Sequence, residues 1–131
     1  ADGLTSLNNA WLDTRSGNTM TTVLHVEALR PQLTDTGRLI FISSAGALGP
    51  GGGAYGAATA ALHGWMYDLA LELGPQGVTC NVVAPGFIDD TELFGDRLSA
   101  ARRDGFVART LVKRAGTPAD VADCVRWLAA P

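Results

Sequence analysis

The sequence predicts an α/β fold built on a parallel sheet, with only part of that sheet inside the chain. Two short apolar runs, residues 38–43 and 78–84, read as strands buried on both faces. Residues 54–73 between them are alanine-rich and long enough for a helix. Strand, helix and strand in that order form one right-handed crossover, the connection that parallel strands require. Two strands alone leave two open edges, and a sheet of this kind usually holds about four to six strands. The chain therefore reads as a strand–helix–strand unit with flanking helices, part of a larger sheet.

Each element has its own signal. Residues 6–30 predict one long helix with Ser6 as N-cap. Its apolar positions are Trp11, Met20, Val23, Leu24, Val26 and Leu29, and Pro31 ends it. Gly17 and the threonines Thr19, Thr21 and Thr22 weaken its middle. Gly37 turns the chain into the first strand. The helix over 54–73 is apolar on more than one side and stops at Gly74-Pro75-Gln76-Gly77. Pro85-Gly86 ends the second strand. Residues 91–111 predict short helical pieces. A last helix has Thr117 as N-cap, Pro118 in the first turn and Asp120 near the positive end of the dipole.

Composition narrows the function. Of 131 residues, 47% are hydrophobic and 18% charged, enough for a core and too few charges for a disordered chain. Net charge is −3, and the longest basic run is Arg102-Arg103, so nucleic acid is not an expected partner. No apolar run approaches the ~20 residues of a membrane span. The opening residues are polar without Lys or Arg, unlike a signal peptide. Cys80 and Cys124 lack metal spacing and read as buried free thiols. A soluble cytoplasmic protein is expected. Ala1 in place of methionine leaves processing, trimming or excerpting open.

Two motifs bear on chemistry. Gly51-Gly52-Gly53-Ala54-Tyr55-Gly56 matches G-x-G-x-x-G in form, but about seven residues separate it from its strand, and Asp68 and Glu72 lie inside the helix that follows. A dinucleotide fingerprint needs the glycines directly after the strand and an acid at the end of the next one. Glycines that let a loop run close to a substrate fit this segment better. Ser44 and Tyr55 suit carbonyl chemistry: a tyrosine can give a proton to the oxygen that becomes a hydroxyl, and a serine can hold that oxygen. Ser44 is not in G-x-S-x-G, which excludes the hydrolase elbow. His63, four residues beyond Thr59, is either a surrogate base on the Tyr55–Thr59 face or a packing histidine. His25 reads as structural, and Asp89-Asp90 as solvated neighbours.

The strand, the paired serines Ser43-Ser44, the glycine-rich loop and Tyr55 opening a helix resemble the catalytic segment of the short-chain dehydrogenase/reductase family. The resemblance covers most of the chain. Trp11, Asn18 and Pro31 resemble the helix with the family's catalytic asparagine, although Thr21 replaces the glycine of its N-x-x-G. Residues 81–91 are similar to the segment after the family's next strand, and Arg114-Ala115-Gly116-Thr117-Pro118 resembles the lead into its last helix. The resemblance implies a Rossmann-like, doubly wound parallel sheet, with residues 1–131 a single domain from the C-terminal, catalytic portion. The glycine-rich adenine and pyrophosphate site and the last strand are expected outside these residues.

It also implies roles. Tyr55 would be the acid/base, Ser44 the oxygen-holding donor (with Ser43 as the alternative, since the loop to Tyr55 is slightly short), and Asn18 part of a proton path. Pro85, Gly86 and Ile88 would lie against the nicotinamide of NADP or NAD, and Thr91 near the phosphates. The substrate would be a small carbonyl compound, and the partner a second copy or a related chain, as the family's matching helices pair across a two-fold axis. Thr59 stands where the family has the lysine that lowers the tyrosine pKa and holds the ribose. Two readings follow: an oxidoreductase with a degenerate site, or a non-catalytic subunit that completes a partner.

Overall fold

The structure is a computed structural model that describes residues 2–131. Two parallel strands, β1 (Arg38–Ile42) and β2 (Thr79–Val83), pair in register from Arg38 opposite Thr79 to Ile42 opposite Val83. The crossover between them is α3 (Gly53–Leu73), one residue longer at its start than the sequence predicts.

Side chains alternate across a strand, so Leu39, Phe41, Cys80 and Val82 share one face. That face holds the core, in which Val26, Phe41, Leu62, Leu69, Leu73, Val78 and Cys80 are buried and Trp65 stacks on Phe41 with ring centroids 5.5 Å apart. Burial on both faces, as the sequence suggests, is not found. On the opposite face Ile40, Asn81 and Val83 are half-buried, and Ile42 is 51% exposed. Two residues before β2, Gly77 turns the chain toward the strand; its φ of +87° and its approach to the Asp35 carbonyl leave no room for a side chain.

The first helix differs from its prediction in three ways. α1 (Gly3–Arg15) begins three residues earlier, because the Asp2 carboxylate accepts from Thr5 N at 2.8 Å and takes the capping role assigned to Ser6. The segment is not uniformly α-helical: Ser16–Met20 widen into a π-turn before α2 (Thr21–Leu29). Side chains compete with the backbone there. Thr21 Oγ1 donates to Gly17 O, Thr22 Oγ1 to Asn18 O and Asn18 Nδ2 to Thr14 O. A 3₁₀ turn over Arg30–Gln32 carries the helix past Pro31.

After β2 come a 3₁₀ turn at Gly95–Arg97, α4 (Ala100–Arg109) and α5 (Pro118–Ala129). α5 opens with Thr117 as its N-cap, as the sequence predicts, and Asp120 adds a reciprocal bond to the Thr117 N–H that completes a capping box. It packs against both strands. Cys124 is exposed rather than buried: the half-buried stripe of α5 is Val121, Val125 and Leu128, and Cys124 falls to one side of it. Among the described residues no helix is long and apolar enough to cross a membrane.

Candidate active site

The two strands end together, and the loops leaving them stay together. Ser43 N donates to Val83 O and Ala45 N to Pro85 O, both at 2.8 Å, so pairing continues beyond the ladder. This places Ser43-Ser44 beside Pro85-Gly86 at the carboxyl end of a parallel sheet, where α/β folds bind ligands.

The two serines differ in use. Ser43 is buried, its Oγ donating to Thr59 O at 3.2 Å, with His63 Nε2 2.8 Å away. A hydroxyl has one proton, so the imidazole is the donor in that second bond. His63 is thus a tie between α3 and the end of β1, and as a donor it cannot serve Ser43 as a base. Ser44 is half-buried, and its Oγ accepts from Gly46 N at 3.1 Å while capping the turn Ala45–Ala47. Its own proton remains available to a ligand oxygen.

The glycines serve the loop itself. A Cβ at Gly52 or Gly56 would collide with the Gly46 carbonyl, so these two glycines let the loop pack closely on its own backbone. Gly51 and Gly53, at φ +92° and +51°, turn the chain into α3. Tyr55 then sits in the first turn of α3, 38% exposed.

Thr59 is buried at 3% exposure. Its Oγ1 donates to Tyr55 O at 2.9 Å and lies 3.2 Å from Gly56 O. The hydroxyl is spent on its own helix, with no cation at this position.

Asn18 lies half-buried in the π-turn, and its neighbour Thr19 donates from Oγ1 to Ala58 O at 2.7 Å, docking the turn on α3 beside Thr59. Pro85 is half-buried and Gly86 exposed. Ile88 bridges to Gly116, with Asp89 N donating to Gly116 O and Gly116 N to Phe87 O, each at 2.9 Å. Thr91 is exposed. Asp89 is not simply solvated: Arg103 holds it at 2.5–2.6 Å and keeps its carboxyl below the usual carboxylate range. Arg114 grips Asp120 with both terminal nitrogens, at 3.0 and 3.2 Å. His25 bonds within its own helix, to Thr21 O. Among the described residues no side-chain hydrogen bond joins Asn18, Ser44 and Tyr55 directly; the backbone of three elements gathers them. No group of three or more His, Cys, Asp or Glu could hold a metal ion among those residues.

Sequence reasoning passed over one cluster at this end of the fold. Phe87, Phe94 and Phe106 pack with centroids 4.9–5.9 Å apart, and Arg102 and Arg109 lie over their rings. Arg102, Phe106 and Arg109 recur at four and three residues, a one-face helical spacing that could have signalled it.

The family model described as Enoyl-(Acyl carrier protein) reductase matches residues 3–131. The chain is 40% identical over 109 residues to the Cyclic-di-GMP-binding biofilm dispersal mediator protein of Escherichia coli (strain K12), covering 81% of this chain and 44% of that one. It is 43% identical over 95 residues to the 3-oxoacyl-[acyl-carrier-protein] reductase FabG of the same strain, covering 71% and 38%. A crystal structure of a short chain dehydrogenase from Burkholderia cenocepacia J2315 in complex with NADP superposes with TM-score 0.77 at 31% identity, over 87% of this chain and 46% of that one. The chain spans less than half the length of these relatives.

Proposed function

The chain belongs to the short-chain dehydrogenase/reductase family, and from that premise we propose that it carries the carbonyl end of an NADP- or NAD-dependent carbonyl/alcohol oxidoreductase site whose acid–base residue lacks its cation. The bound dinucleotide would supply or accept the hydride. Pro85, Gly86 and Ile88 would face its nicotinamide, and Thr91, exposed on the same loop, would meet a phosphate. Pro85 supports this fit, since its carbonyl is tied to the serine loop. Tyr55 would exchange a proton with the substrate oxygen, Ser44 would hold that oxygen through its free O–H, and Asn18 would line the proton path. The observation that carries the degenerate reading is Thr59, neutral and buried, its hydroxyl turned back to Tyr55 O. A 3-oxoacyl-[acyl-carrier-protein] reductase and a short chain dehydrogenase in complex with NADP are among the relatives, which favours NADP and a carbonyl substrate here.

The direct test is calorimetric titration of the 131-residue chain with NADPH and NADH. The pyrophosphate of a dinucleotide normally sits on a helix N-terminus behind a tight glycine turn, and here Gly52 and Gly56 are packed against the Gly46 carbonyl. Binding is expected to be weak or undetectable, and a low-micromolar dissociation constant would contradict it.

A second reading has its own observation. Leu4, Leu7 and Trp11 fall on one face of α1 and are 77%, 55% and 48% exposed; Tyr67 and Leu71 form a similar face on α3 at 70% and 81%. Apolar faces of this kind suit an interface, with a second copy or a related chain. A non-catalytic subunit would use them to complete a partner. Sedimentation should then show association at high micromolar concentration, and a stable monomer there argues against it.

A further inference from the structure

We propose that the face of α4 bearing Arg102, Phe106 and Arg109 binds the phosphate group of a small-molecule ligand. The proposal goes beyond the oxidoreductase reading and is tested without dinucleotide or carbonyl compound.

Charge is gathered here against the trend of the chain. Residues 97–114 contain Arg97, Arg102, Arg103, Arg109, Lys113 and Arg114 against one acid, Asp104, in a protein of net charge −3. Arg103 and Arg114 are neutralised by Asp89 and Asp120. Arg97 and Lys113 close turns by donating to backbone carbonyls. Arg102 and Arg109 have no carboxylate within ion-pair distance among the described residues.

What holds these two is the aromatic cluster. The Arg102 guanidinium carbon is 5.3 Å from the Phe94 centroid and 5.4 Å from that of Phe106, and the Arg109 carbon is 4.9 Å from Phe106. One bond from Arg102 to Arg97 O uses a single N–H. Cation–π attraction holds a guanidinium over the ring without using its N–H donors, so less entropy is lost when an anion arrives. Phe87 stacks on Phe106 at 4.9 Å and follows Gly86, which fastens this face to the carboxyl end of β2.

Two cations sharing one ring repel each other, and an anion between them removes that cost. A carboxylate carries one charge on two coplanar oxygens, which suits a single guanidinium fork best. A phosphate monoester or a diphosphate has more oxygens and more charge, and can be shared by two forks. The shared chemistry is therefore phosphate, from either a monoester or the diphosphate bridge of a nucleotide.

The test is nitrogen-15 NMR of the arginine Nε–H signals in the 131-residue chain, titrated at fixed ionic strength with inorganic phosphate, inorganic pyrophosphate and acetate. Saturable shifts of Arg102 and Arg109 with phosphate or pyrophosphate, and none with acetate, are expected. Stronger binding of pyrophosphate assigns the diphosphate source, and equal or stronger binding of phosphate the monoester. Arg102→Gln and Arg109→Gln, both at exposed positions, should each weaken binding about tenfold through loss of charge-assisted hydrogen bonds, with amide spectra reporting an intact fold. Arg126→Gln, which disturbs the Asp123 pair on α5, should bind as wild type. No saturable shift, an equal response to acetate, or an equal loss in Arg126→Gln overturns the proposal.

Discussion

Thr59→Lys is expected to raise NADPH-dependent ketone reduction in a fusion that joins this chain to the part of a relative it does not span. A free phenol titrates near ~10, which suits proton transfer at neutral pH poorly. A cation within ~4–6 Å stabilises the phenolate, and each unit so gained corresponds to about 1.4 kcal/mol between the two protonation states. Four residues along a helix nearly complete a turn, so position 59 stacks beside Tyr55. Threonine is neutral there, and its hydroxyl is committed to the helix backbone. The substitution carries a cost the sequence does not reveal: the site is 3% exposed, so lysine must run its stem out of the core to bring the ammonium to the mouth of the site. Thr59→Met has a long neutral stem and is the control. The pH–rate profile from 6 to 10 for Thr59→Lys should rise at lower pH than wild type, Thr59→Met should not gain, and Tyr55→Phe in the lysine background should abolish the gain. If the wild-type fusion turns over at an ordinary ~10 s⁻¹, the degenerate reading is wrong.

Much of the scaffold was legible because local signals and tertiary packing agree. The apolar runs at 38–43 and 78–84 and the long apolar helix between them locate the crossover, and glycine and proline at 37, 74–77 and 85–86 punctuate it. Thr117 and Asp120 are a local pair, and their capping box needed no tertiary knowledge. The start of α1 was missed because Ser6 and Asp2 are both capable caps, and the choice depends on which residue leaves the helical region; Asp2 is extended at φ −66°, ψ 155°. The π-turn lies where Gly17 and three threonines weaken the helix, but a weak helix does not announce its register. Cys124 shows the limit of reading burial from residue type.

The candidate site was legible as a list and not as a network. Ser43 and His63 are 20 residues apart, and their contact exists because α3 crosses the end of β1. That contact separates two serines the sequence leaves as alternatives: one hydroxyl is spent in the core, and the other has a proton to give. The same crossing explains the glycines. Gly52 and Gly56 admit the Gly46 carbonyl, and this lets Tyr55 begin its helix close to the serine loop. Asp89, read as one of two solvated neighbours, joins β2's exit to α4 through Arg103, since the partner lies 14 residues on.

Leu69→Ala is expected to have the largest effect on stability. Leu69 is 1% exposed between α3 and the sheet, in a core of few fully buried side chains. Removing a leucine side chain from such a place costs about 2–5 kcal/mol, as lost transfer energy plus the cavity left behind. Native domains have about 5–15 kcal/mol in all, so the variant should unfold at much lower urea concentration. Leu71→Ala is the matched control, two residues along the same helix and 81% exposed. In a monomer it should shift stability by less than about 0.5 kcal/mol. Equal shifts for the two would contradict the orientation of α3. A large Leu71 effect that grows with protein concentration would instead show the outer face of α3 buried between chains, because stability coupled to association depends on concentration. The pair of variants thus tests the core and the proposed interface in one urea series.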